Sequence, residues 1–79
     1  MMIHVKLLAN YREHLPPQAK NGGVDLDVPD GTTVREALSN FDIPLDDSSV
    51  IVVNGLTVSL DTPLKAGDVV SAFSAIAGG

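Results

Sequence analysis

The chain has 79 residues, 44% of them hydrophobic, and sets ten acidic side chains against five basic ones for a formal charge of −5. That is the length of one domain near the size where a single core becomes marginal, and its scattered cations, Lys6, Arg12, Lys20, Arg35 and Lys65, build no basic groove for nucleic acid. The absence of cysteine excludes disulfides, thiolate metal centres, iron–sulfur clusters and cysteine nucleophiles, and it suits a cytoplasmic protein better than a small secreted scaffold.

Met2 to Ala9 predicts a first strand, with Ile3, Val5 and Leu7 alternating against His4 and Lys6. The opening residues are too short and too interrupted for a signal peptide, and no stretch approaches the roughly 18 apolar residues of a membrane span. Asn10 to Gly23 holds two prolines and two glycines and predicts a long connection, with a helical turn around Tyr11 to Leu15. Val24 to Val28 alternates apolar with acidic residues and predicts a second strand with one wet face, stopped by Pro29-Asp30-Gly31.

Thr33 and Glu36 have the spacing of a capping box. Val34, Ala37, Leu38 and Phe41 follow at i, i+3, i+4 and i+7, one apolar stripe of a helix, which Asp42-Ile43-Pro44 should end. Asp46-Asp47-Ser48-Ser49 predicts a loop. Val50 to Val53 is a continuous β-branched run, expected as a central strand under the helix. Asn54-Gly55 is a strong hairpin signal, and Leu56 to Leu60 would carry the returning chain as a short strand or a turn. Leu64 to Asp68 predicts a turn, Val69 to Phe73 a last strand, and Ser74 to Gly79 a flexible tail. The helix stripe needs a sheet face to cover, so the elements predict an α+β domain: a mixed sheet of four to five strands with one main helix on one face.

Some residues invite a functional reading that their setting does not support. His4 occupies the polar phase of a strand, and His14 lacks a partner at ligand spacing. Asp42, Asp46 and Asp47 lack the alternating ligands and closing glutamate of a calcium loop. Asp25 and Asp27 share one strand face and read as charges that discourage edge pairing. Leu56, Val58 and Leu60 share a strand phase, and with Phe73, Ile76 and Ala77 they are the candidate docking surface beside the tail. Arg12 and Lys65 are weaker candidates for pairing with acids of a partner.

Four segments resemble the MoaD/ThiS family of ubiquitin-like sulfur carriers. Leu8-Ala9-Asn10-Tyr11-Arg12-Glu13 is similar to that family's Phe-Ala-x-Leu-Arg-Glu after the first strand. Asp30-Gly31-Thr32-Thr33-Val34 with Leu38 resembles Gly-x-Thr-Val-x-x-Leu at the helix start. Val53-Asn54-Gly55 with Leu64, Gly67-Asp68 and Val69 resembles the approach to the last strand. Ile76-Ala77-Gly78-Gly79 matches the terminal Val/Ile-Ala-Gly-Gly. The resemblance implies a β-grasp, ubiquitin-like domain over residues 1–73 and a reactive tail over 74–79.

The chemistry of such a tail is readable from its residues. A main-chain carboxylate reacts usefully only once activated, for instance as an adenylate, and a sulfur donor can then convert it to a nucleophilic thiocarboxylate. Two consecutive glycines without Cβ atoms suit a narrow channel that excludes water. Residues 69–79 carry no charge, which favours insertion into a partner. The resemblance implies that Gly79, with Gly78 before it, is the reactive end. It further implies an E1-like adenylyltransferase that spends ATP, a persulfide sulfur donor, no cofactor or metal bound by the chain itself, and the large subunit of a molybdopterin synthase as a further partner. Molybdopterin synthesis is the favoured destination. Thiazole synthesis, tRNA thiolation, and protein modification through an isopeptide bond at Gly79 are the alternatives.

Overall fold

The alternation of Ile3, Val5 and Leu7 becomes strand β1 (Met2–Leu7) in a computed structural model that describes residues 1–75. All three side chains are buried, whereas Met2 and Lys6 are exposed and His4 is half-buried. A 3₁₀ helix (Ala9–His14) follows. It covers the stretch expected to hold a helical turn and buries Tyr11. β2 (Gly23–Asp27) pairs antiparallel with β1, setting Asp25 opposite His4 and Asp27 opposite Met2.

The helix α1 (Val34–Leu38) begins as its sequence predicts. The Thr33 N–H donates to Glu36 Oε1 at 3.0 Å, and the Glu36 N–H donates to Thr33 Oγ1 at 3.3 Å. It ends sooner than the apolar stripe implies. The Ser39 hydroxyl donates to the Glu36 carbonyl at 2.6 Å, and the Asn40 amide donates to the Ala37 carbonyl at 2.9 Å. These side chains take carbonyls that another helical turn would need. Phe41 therefore lies beyond the helix, yet it is still buried together with Ile43.

β3 (Ser49–Val53) and β4 (Leu56–Thr57) flank Asn54-Gly55, whose φ angles of 51° and 88° are the left-handed pair of a type I′ hairpin. β4 is the short strand that the sequence allows, because the chain after it turns to cap α1. The Val34 and Arg35 N–H groups donate to the carbonyls of Thr62 and Leu60 at 2.9 and 2.8 Å. Two amides that a helix start leaves unpaired are thereby satisfied by the chain that follows β4.

β5 (Val69–Ser74) runs parallel to β1 and antiparallel to β3. The five-stranded order is β2-β1-β5-β3-β4, so β3 is an interior strand as the valine run suggests, and β5 is the middle one. Strand and helix order otherwise follow the sequence reading. Val5, Leu7, Val34, Ala37, Leu38, Val70 and Ala72, all 0% exposed, lie in one core between the helix and one sheet face.

Candidate functional site

β5 delivers the chain to its C-terminal end from the middle of the sheet. Its start is fixed by polar contacts. The Val69 N–H donates to Asn54 Oδ1 and the Asn54 amide donates to Asp68 Oδ1, both at 2.9 Å, while the Lys65 N–H donates to Asp68 Oδ2 at 2.8 Å. The motif from Asn54 through Asp68 is thus a clasp that sets the register of the last strand.

At the other end β5 runs one residue past Phe73, and Ala75 is still held: its N–H donates to the Ser48 carbonyl at 2.7 Å. Ser48 Oγ lies 3.2 Å from Ser74 Oγ. Asp46 Oδ1 accepts the Ser48 N–H at 2.8 Å and the Ser48 hydroxyl at 2.5 Å. These donors, the hydroxyl first, hold the Asp46 carboxyl below its ordinary value of 3.8. Gly78 and Gly79, with Ile76 and Ala77, lie outside the described residues.

One sheet face carries the helix, and among the described residues no helix covers the other. On the uncovered face Phe73 stands opposite Val50, and Ser71 opposite Val52 and Lys6. Leu8 continues the alternation of β1 one residue beyond the strand: its backbone is extended, its N–H donates to the Ala72 carbonyl at 2.9 Å, and the residue is 40% exposed. Leu8, Phe73 and Val50 therefore form an apolar row across the uncovered face at the end where the tail leaves. Farther along that face His4 Nδ1 lies 2.6 Å from Asp25 Oδ1.

Leu56 does not join this row, which corrects the expectation of one surface containing it and Phe73. It pairs with Val53, whose side chain faces the core, so it lies on the helix side and at the opposite end of β5. There it is 70% exposed and lines a shallow depression with Val58, Thr62, Pro63 and Lys65. The physical reason is the two-residue turn, which keeps residues directly opposite each other on one face. Val58 still donates its N–H to the Ile51 carbonyl at 3.0 Å, and Leu60 belongs to the segment that caps α1. The sequence reading missed Leu8 and Val50. An alternation carried one residue past Leu7 signals the first, and the outward phase of the valine run signals the second.

The remaining candidates stay apart. His14 lies on the 3₁₀ helix, with Nε2 3.9 Å from Glu13 Oε1, and His4 sits on the far part of the uncovered face. No group of three or more histidine, aspartate or glutamate residues among the described residues is placed to hold a metal ion. Nor is any helix among them long and apolar enough to cross a membrane.

Similarity to known proteins fits this geometry. SAMP1 (small archaeal modifier protein 1) of Haloferax volcanii superimposes with a TM-score of 0.76 at 25% identity, covering 100% of both chains. A Pyrococcus furiosus protein assigned as molybdopterin converting factor, subunit 1, superimposes with a TM-score of 0.66 at 26% identity, over 95% of this chain and 98% of that one. A chain from the complex of subunits 1 and 2 of the Helicobacter pylori molybdopterin-converting factor gives 0.58 at 23% identity, covering 100% of both, and shares the fold. No curated protein sequence matches the chain. The architecture is the ubiquitin-like β-grasp, the sequence profile of the ThiS family matches residues 5–79, and the chain belongs to that family.

Proposed function

We propose that the chain is a sulfur carrier that reacts through the carboxylate of Gly79 and acts as a co-substrate in the cytoplasm. The observation that carries this reading is the arrangement at the end of β5. The central strand, held in register to Ala75, ends beside an uncovered apolar row, and the sequence after it has no charged side chain and contains Gly78-Gly79. An E1-like adenylyltransferase would dock on Leu8, Phe73 and Val50 and take the tail into its site. The Gly79 carboxylate attacks the α-phosphorus of ATP and pyrophosphate leaves. The outer sulfur of a donor persulfide displaces AMP, and a second thiol on the donor side then takes the inner sulfur as a disulfide, freeing the thiocarboxylate. This chain's residues supply docking and delivery, while the partner supplies the enclosure that excludes water.

Sulfur delivery in molybdopterin synthesis is the favoured destination, supported by the similarity to the Pyrococcus furiosus subunit. The Helicobacter pylori protein assembles with a second subunit, and a large synthase subunit is the corresponding partner proposed here. A second reading, protein modification through an isopeptide bond at Gly79, is favoured by the similarity to SAMP1. Both share the adenylate, so pyrophosphate exchange in the presence of an E1-like adenylyltransferase tests the common step. Exchange should require Gly78-Gly79, and a chain truncated at Ala77 should lose it while melting unchanged. Exchange that survives truncation would refute both. A Gly-Gly remnant on target lysines would favour the modifier.

A further inference from the structure

The third residue of the 3₁₀ helix is Tyr11, at the position where the resembling motif has leucine. Its ring is 2% exposed, and the apolar part of that burial needs no hydroxyl. The hydroxyl nevertheless has a complete set of partners. It donates to the Pro44 carbonyl at 3.3 Å and lies 2.7 Å from Ser49 Oγ, which in turn accepts the Asp46 N–H at 3.0 Å. One assignment satisfies every group: Tyr11 O–H to Pro44, Ser49 O–H to the Tyr11 oxygen, and Asp46 N–H to the Ser49 oxygen.

From Asp46 the connections continue to the tail. The Asp46 carboxylate accepts both the N–H and the hydroxyl of Ser48, and the Ser48 carbonyl accepts the Ala75 N–H at 2.7 Å. Ser49 also stands opposite Ser74 in the β3–β5 ladder. The loop from Pro44 to Ser49 is thereby tied at one side to a buried ring and at the other to the last described residues of the chain. The phenol end of this chain of bonds is part-buried and the Asp46–Ser48 end is exposed, so the buried ring is the fixed point from which the loop before Ala75 is held.

We propose that Tyr11, through its hydroxyl, is a positioning residue for the C-terminal tail. It acts by way of Ser49, Asp46 and Ser48 to fix the Ala75 backbone, and so sets where the tail starts when a partner takes it up. This rests on the reading of Gly79 as the reactive end. Docking and positioning then belong to different residues. Leu8, Phe73 and Val50 govern how tightly a partner binds, and Tyr11 with Ser49 governs how often the bound tail is correctly presented.

The test compares the parent chain with Tyr11→Phe and Ser49→Ala, each of which removes a hydroxyl and little volume. Hydrogen exchange followed by NMR should show the Ala75 amide accelerated roughly tenfold more than Val70 in the core of β5, which reports any change in global stability, in both variants. With an E1-like adenylyltransferase that accepts the parent chain, pyrophosphate exchange should lose kcat severalfold at unchanged KM. Phe73→Ala should show the opposite split, a raised KM with kcat kept. Unchanged Ala75 exchange in both variants overturns the proposal whatever the activity. Faster Ala75 exchange with unchanged kcat overturns the functional part alone. A parent chain refused by such adenylyltransferases, while Ala75 still responds, overturns the carrier reading and the role assigned to the hydroxyl with it.

Discussion

On its helix side β5 presents Val70 and Ala72, both 0% exposed; on its other side Val69, Ser71 and Phe73 are only half-buried. The same contrast holds in β3, where Ile51 and Val53 are buried and Val50 and Val52 are not. One strand thus satisfies two demands on alternate residues. The helix side pays the entropy of folding by burying apolar area. The open side contributes less, so its valines and Phe73 are apolar beyond what the fold requires. An uncovered row of this kind, at the end of the central strand, is where a partner would gain the most by docking.

The sharpest way to break the contrast is to mutate one residue on each face. Leu38→Ala, in the 0%-exposed core under α1, should cost about 2 to 5 kcal/mol. Against a total on the order of 5 kcal/mol for so small a domain, chemical denaturation should find the variant largely unfolded near room temperature. A loss under about 1 kcal/mol would mean that the helix side is not the stabilising one.

Phe73→Asp should divide stability from binding. Its melting temperature should fall by less than about 8 °C. Its affinity for the activating enzyme, read by calorimetry, should fall by roughly thirtyfold or more, the scale of a central aromatic anchor. Equal losses of both would make Phe73 a core residue and leave the open face without a function.

The smallest expected effect concerns the loop beside the tail. Because the Asp46 carboxyl is held below its ordinary 3.8 in the fold, its ionised form contributes stability that is complete above that value. The contribution is lost as pH falls through the lowered folded value. Melting temperatures of the parent and Asp46→Asn should therefore differ at neutral pH, begin to draw together below about pH 4, and meet only once the pH is under the lowered folded value. A gap that persists into acid would assign the effect to the loop's shape and not to the charge.

The elements that the sequence made legible are those written in local chemistry. Thr33 with Glu36, Asn54-Gly55, and the alternations of β1 and β2 each act within a few residues, and each appears where its pattern places it. What escaped the reading depends on distant partners. That the chain after Thr57 gives its carbonyls to α1 is one such contact. The apolar stripe points the helix on to Phe41, but Ser39 and Asn40 close it with their own side chains.

The candidate docking residues split along the same line. Phe73 shows its place through strand phase. Leu56 shares a phase with nothing on the open face once the two-residue turn fixes its partner as Val53. Leu8 and Val50 come level with Phe73 only when β5 is known to lie between β1 and β3. The hydroxyl of Tyr11 is silent in sequence because its partners, Pro44 and Ser49, are more than 30 residues away.

The most direct test of the carrier reading is the fragment mass of the C-terminal peptide from protein isolated from its native host after treatment with a thiol-reactive label. A chain without cysteine takes that label only through sulfur at Gly79, and labelling also separates sulfur exchange from oxidation of Met1 or Met2, which adds nearly the same mass. The account predicts a labelled terminal peptide. An unlabelled carboxylate that persists after activating enzyme, ATP and sulfur donor are supplied would contradict it.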